Sequence, residues 1–202
     1  MTKEQMTKPS PYGRRRFNAR QLTVIGLLAA VTIILGVSGF GLIRIPPINF
    51  TILHIPTLIG ALVEGPRVGM FIGLIFGGYS LVQNLMAPNI MSFAFINPIV
   101  SILPRMLIGP IAYYIFKAIP LKSSVVRIII SLFVTTLLHT IMVMGLIYLI
   151  YAEPYAAATG KPMDQVLNII LGVAIFHGSL EAAGAVLIGT PIVVALRAKL
   201  NK

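Results

Sequence analysis

The stretch NPIVSILPRMLIGPIAYYIFK (97–117) sets one arginine, Arg105, inside an otherwise apolar run, eight residues after Asn97 and twelve before Lys117. In water such a residue is ordinary. In the hydrocarbon of a bilayer it costs roughly 2.5–3.5 kcal/mol or more, and it persists only where it faces a cavity or a partner. Fold and function both turn on what surrounds this side chain.

Composition settles the solvent. Of 202 residues, 57% are hydrophobic and 10% charged, where a soluble domain carries about 25% charged residues. Too few polar groups exist to cover a water-facing surface. The apolar residues come in long runs without period-two alternation, which selects helices over a barrel. The expected class is an all-α membrane protein. Cysteine is absent, which removes disulfides, thiolate nucleophiles and thiolate-bound metal.

The formal net charge of +11 is placed as an anchor and not as a nucleic-acid surface. Six basic residues (Lys3, Lys8, Arg14, Arg15, Arg16 and Arg20) precede the first apolar segment. Such a cluster at a membrane-helix end marks the cytoplasmic side. Residues 1–19 are expected to form a basic cytoplasmic tail and 20–202 the membrane domain. No A-x-A cleavage site closes the first apolar segment, so it is expected to be retained.

Six spans follow, at 22–40, 51–63, 68–85, 95–116, 126–151 and 166–196. The inner connections are EGPR (64–67) and KAIPLKSSVVR (117–127); the outer ones are 41–50, 84–98 and 151–165. This topology puts thirteen Lys/Arg inside and only Arg44 and Lys161 outside, as the positive-inside rule demands. Both termini are then cytoplasmic. Were the short second span merely re-entrant, Lys117, Lys122 and Arg127 would fall outside.

Helical rise converts spacing into depth. Arg105 lies twelve residues before Lys117, and His139 twelve after Arg127, so both stand about 18 Å above the inner end. Glu181 and Gln83, sixteen residues from Arg197 and Arg67, reach about 24 Å. His177 and Glu181 are four apart and share a helix face. Asn49, His54, Tyr79, Asn84 and Asn97 add polar groups toward the outer side. This distribution predicts a polar, outward-opening cluster above an apolar floor. Plainer roles stand beside it. Arg105 and Glu181 can pair only to join two helices, His139 can be a packing residue, and Tyr79, Gln83 and Asn84 can be interfacial anchors.

Gly69, Gly73 and Gly77 form a small-residue stripe on the third span, and Gly26 and Ala30 a smaller pair on the first. Such stripes let helix backbones approach closely, within the molecule or against another membrane protein. No nucleophile constellation, Walker A loop or H-E-x-x-H zinc motif is present. An enzyme is therefore not expected, nor a bound metal or cofactor. Active transport by this chain requires energy from elsewhere.

NFTILHIPTLIGALVEGPRVGMFIGLIFG (49–77), FINPIVSILPRMLIG (95–109) and HGSLEAAGAVLIGTPIVVAL (177–196) together resemble the substrate-binding S components of energy-coupling factor (ECF) vitamin transporters. The first two are most similar to the branch for pantothenate, hydroxymethylpyrimidine and vitamin B6. The resemblance implies a six-helix S component that captures a vitamin from outside. It would associate with a membrane T component and two cytoplasmic ATPases, and tip in the bilayer to release its cargo. It also implies that Gly26 and Ala30, at the family's Ala-x-x-x-Ala positions, dock the T component. His177 stands where the last-helix pattern has Asn. The expected substrate site comprises Asn49, His54, Tyr79, Gln83, Asn84, Asn97, Arg105, His139, His177 and Glu181. Because Glu181 offsets Arg105, a neutral or zwitterionic cargo such as pyridoxine or pyridoxal is the first expectation, with pantothenate or hydroxymethylpyrimidine the alternative. A stand-alone facilitator would transport without ATPase partners.

Overall fold

Asn18 accepts from the Gln21 backbone N–H at 2.8 Å, and the Gln21 side chain accepts from the Asn18 N–H at 3.2 Å. This reciprocal cap starts α1 (Ala19–Val37). The computed structural model describes residues 17–45, 48–89 and 91–200, with backbone alone at 42–45 and 48–50. After α1 comes an antiparallel hairpin of β1 (Leu42–Ile45) and β2 (Ile48–Thr51). Then follow α2 (Ile55–Glu64), α3 (Pro66–Met86), two single turns, α4 (Ser92–Phe95) and α5 (Pro98–Ser101), and α6 (Leu103–Ala118). The long helices α7 (Ser124–Thr159) and α8 (Met163–Leu200) complete the bundle.

Among the described residues, five segments are long and apolar enough to cross a bilayer: α1, α3, the broken run Pro98–Ala118, α7 and α8. The second expected span, 51–63, is different. Only α2 is helical there, ten residues long, which is about 15 Å and half a hydrocarbon core. The hairpin occupies the rest of the return path. Residues 55–62 of α2 are all buried, so the helix is shielded by its neighbours and need not match the bilayer in length. Its inner end is fixed by an Arg20–Glu64 salt bridge of 2.6 Å, which sets the start of α1 and the end of α2 at one level. Gly65, at φ 106°, makes the turn into α3, a conformation that a side chain would strain.

The fourth span, expected unbroken over 95–116, is interrupted at Asn97 and Ile102. The prolines explain it. Pro98 and Pro104 carry no N–H, so the carbonyls four residues earlier lose their helical partners, and the Asn97 side chain caps α5 by accepting from the Ile99 N–H. The fifth span, expected to end at 151, continues as α7 past a non-helical Tyr151 to Thr159. Pro154 inside that helix cannot bond to the Ile150 carbonyl, which accounts for the kink. Most of the expected outer loop 151–165 is therefore helix, closed by Gly160 in the left-handed conformation.

The glycine stripe packs inside the molecule. A Cβ added at Gly73 would strike the Arg105 carbonyl, one at Gly77 would meet Ile102 Cα and the Ser101 carbonyl, and one at Gly69 would meet Gly109 Cα. Backbone against backbone, α3 thus fixes the register of the stretch that carries Arg105. Two apolar clusters fill the bundle. The inner one includes Leu58, Leu62, Ile108, Ile128, Leu132 and Val193. The outer one gathers Met91, Val100, Val143, Met144, Ile147, Tyr155 and Ile170. Between them α7 presents Thr135, Thr136, His139 and Thr140, and α8 presents His177 and Glu181, all buried.

Candidate functional site

A cavity of about 70 Å³ lies in this polar layer, lined by Thr51, Phe95, Arg105, His139, Thr140, Val143, Met144, Val173, His177 and Glu181. The apolar floor expected beneath it is the inner cluster. The outer cluster borders the same layer, so the polar groups stand between two apolar clusters around a small, partly open cavity. Its volume is well below the roughly 300–1,000 Å³ of small-molecule sites, so a ligand of that class must displace part of the wall.

Arg105 is in the first turn of α6 and 6% exposed. Pro104 leaves the Val100 carbonyl without its helical N–H, and Arg105 Nη1 donates to that same carbonyl. The guanidinium carbon lies 5.3 Å from the centre of the Phe95 ring and 5.9 Å from that of Phe76, within cation–π range. Its Nε has no hydrogen-bond partner. The break in the helix and the buried cation are thus one feature: the proline frees an acceptor and the arginine uses it.

Glu181 faces the same cavity from α8. Its Oε1 accepts from the Thr51 N–H at 2.9 Å, and its Oε2 accepts from Thr140 Oγ1 at 3.5 Å. The hairpin therefore ends on a carboxylate carried by the last helix. The Arg105–Glu181 ion pair allowed by the sequence is not formed, since no nitrogen–oxygen contact of 4.0 Å or less joins the two side chains. They face one cavity, and their charges interact across it.

His139 is 4% exposed, lines the cavity, and has no hydrogen-bond partner on either ring nitrogen. Behind it stands His54, its ring stacked at 6.2 Å between centroids and its Nε2 3.4 Å from Thr136 Oγ1. His54 is thus a support, not a lining residue. His177 lines the cavity one turn before Glu181.

Four of the ten expected site residues therefore converge: Arg105, His139, His177 and Glu181. The others do not line the cavity, for identifiable reasons. The Tyr79 ring fills the space over Gly36 of α1. Asn84 organises the outer turn after α3, accepting from Ser92 Oγ at 2.8 Å and from Asn89 Nδ2 at 3.2 Å. Asn97 caps α5 and donates to the Tyr151 hydroxyl at 3.0 Å. Gln83 is half-buried on the last turn of α3. The side chain of Asn49 lies outside the described residues. Gly26 and Ala30 are exposed on α1, with nothing within 4 Å of where a Gly26 Cβ would be.

The lining residues not anticipated are Thr51, Phe95, Thr140, Val143, Met144 and Val173. Helical period reaches four of them: Val173 is one turn before His177, and Thr140, Val143 and Met144 follow His139 on one face of α7. Thr51 and Phe95 sit on a hairpin and a single turn, where no period applies.

Apolar helices long enough to cross a bilayer, packed around a buried polar cavity, describe a multi-pass membrane protein with a candidate small-molecule site. The family model for the substrate-specific component of ECF transporters matches residues 20–193. The chain belongs to that family, whose members serve vitamin uptake across prokaryotic plasma membranes. It is 25% identical over 199 residues to the pantothenic acid transporter PanT of Lactococcus lactis subsp. cremoris (strain MG1363), covering 90% of this chain and 96% of that one.

Proposed function

We propose that this chain is an S component for pantothenate. The observation that carries the choice is Arg105, a buried guanidinium in the cavity wall that forms no ion pair. A ligand carboxylate is its natural counter-charge. Without an Arg105–Glu181 pair, the main reason to expect a neutral cargo weakens. In this arrangement the carboxylate lies at Arg105, and Glu181 accepts from hydroxyl groups at the other end. His139 and His177 serve the polar atoms between, and Phe95, Val143 and Met144 take the apolar part. The similarity to a pantothenate transporter supports the same choice.

Six membrane-crossing segments with both termini cytoplasmic remain the preferred topology. The Arg20–Glu64 bridge supports it, because α1 leaves and α2 returns to the same side. The hairpin plus α2 then acts as the sixth leg. With no ATPase motif in the sequence, uptake depends on a T component and two ATPases, and the exposed Gly26 and Ala30 face of α1 docks the T component.

Pyridoxine or pyridoxal is the second choice, favoured by Glu181, which brings the cavity's formal charge near zero. Calorimetric titration of the purified protein with pantothenate, pyridoxal, pyridoxine and hydroxymethylpyrimidine separates them. Pantothenate alone should bind tightly. Tight pyridoxal binding without pantothenate binding reverses the order.

A further inference from the structure

The inner ends of α6, α7 and α8 hold two arginines that no acid among the described residues answers. Arg127, in the first turn of α7, donates from Nε and Nη2 to the Phe116 carbonyl at 3.1 and 2.7 Å. Its Cζ lies 4.3 Å from the centre of the Phe116 ring, and the Cζ of Arg197, near the end of α8, lies 4.3 Å from the same centre. The two guanidiniums are therefore within twice that distance of each other, with Phe116 as their common platform. Arg197 Nη1 is buried without a hydrogen-bond partner. Lys117, on the last turn of α6, adds a third cation, its Nζ 5.7 Å from the Tyr113 ring centre.

The chain has five acidic residues. Glu64 is held by Arg20, and Glu181 is in the cavity. Glu153 and Asp164 stand at the far ends of α7 and α8, roughly 40 Å or more away along the helices. Glu4 lies outside the described residues. Among the described residues, neither Arg127 nor Arg197 forms an ion pair. Two like charges held this close repel one another unless an anion joins them.

We propose that Arg127 and Arg197 bind the phosphate of an anionic phospholipid in the cytoplasmic leaflet. Guanidinium forks match phosphate oxygens, and Arg127 keeps Nη1 for this after spending Nε and Nη2 on Phe116. The pair lies at the helix ends, where lipid phosphates are concentrated. It also lies on α6–α8, whereas α1 packs against α2 and α3. A protein docked on the exposed face of α1 would leave these arginines to the bilayer. One phosphate there ties together the inner ends of three helices.

The test is native mass spectrometry of the full chain released from phosphatidylcholine nanodiscs containing a minority of phosphatidylglycerol. Wild type should keep one tightly held phosphatidylglycerol. Each single variant, Arg127→Gln or Arg197→Gln, should keep it about fivefold less well, and the double variant should lose it. Lys122→Gln, in the same inner connection, should behave as wild type. Circular dichroism verifies the helices, and the single variants carry the comparison should the double one not fold. Equal retention by wild type and folded arginine variants overturns the proposal, as does equal loss in Lys122→Gln, which would mean diffuse attraction without a site.

Discussion

Arg105→Gln offers the sharpest perturbation of the site. Glutamine keeps a donor that can reach toward the Val100 carbonyl, but it removes the cation. A unit charge pair at about 4 Å is worth roughly 4 kcal/mol at an effective dielectric near 20. Part of that is recovered by water and by relaxation, which leaves about 3 kcal/mol, or roughly a hundredfold in affinity. The loss alone is ambiguous, because Arg105 also supports the broken backbone at Val100. Panthenol, in which an alcohol replaces the carboxylate of pantothenate, resolves it. Calorimetry of both ligands against both proteins makes a cycle in which the backbone role cancels. Wild type should prefer pantothenate by about a hundredfold, and Arg105→Gln should bind the two about equally. If the variant weakens both ligands alike and wild type does not discriminate, Arg105 is a structural residue and the carboxylate assignment falls.

Glu181→Gln should move the same preference the other way. Removing a like charge across the cavity favours the anion by about 1 kcal/mol, or fivefold, so the pantothenate-to-panthenol ratio should rise. Phe in place of both Gly26 and Ala30 should abolish uptake in cells that supply the T component and ATPases, while calorimetric binding stays at wild-type strength, because both positions face outward on α1. Gly73→Ala drives a Cβ into the Arg105 carbonyl. It should cost about 1–3 kcal/mol, lowering the thermal midpoint in detergent by several degrees and weakening binding through α6. Hydrogen exchange should slow on pantothenate addition at 48–54 and 92–102, with little change at 128–136 of α7; uniform protection would argue against a localised opening.

The membrane class, and five of the six expected spans as long apolar helical segments, were legible because they rest on composition and on the length of apolar runs. The stripe at Gly69, Gly73 and Gly77 was legible too, since one helical face repeats every four residues. What spacing could not convey was direction and pairing. Asn84 and Asn97 stand at a suitable height, yet each is spent on local backbone and neighbours, as short amides beside prolines and turns commonly are. Arg105 and Glu181 were correctly brought to one place, but the sequence could not show that the Val100 carbonyl and the Thr51 N–H would take the contacts each might have given the other. Pro104 is the signal that was available. An arginine one residue after a proline in a membrane helix has a freed carbonyl within reach.

For the proposed capture of a vitamin, the same geometry suggests which part of the wall would move. Seven of the ten lining residues belong to α7 and α8, which are packed into apolar clusters both above and below the cavity. Arg105 belongs to α6, whose backbone the glycines of α3 hold in register. Thr51 and Phe95 are left, one closing a short hairpin and the other ending a single turn. Thr51 reaches the site through one backbone bond to Glu181, and Phe95 is tied back by Ser101 Oγ, which donates to its carbonyl. Rigid helices bearing the charges and short outer segments bearing the cover are a division of labour that suits capture. Moving Thr51 or Phe95 would give up the Thr51–Glu181 hydrogen bond and the Phe95 ring beside Arg105, while the helices that carry Arg105, His139, His177 and Glu181 keep their register. In the proposed function, a vitamin entering this way would meet recognition groups already in place, and its binding energy would go chiefly into closing the two short segments over it.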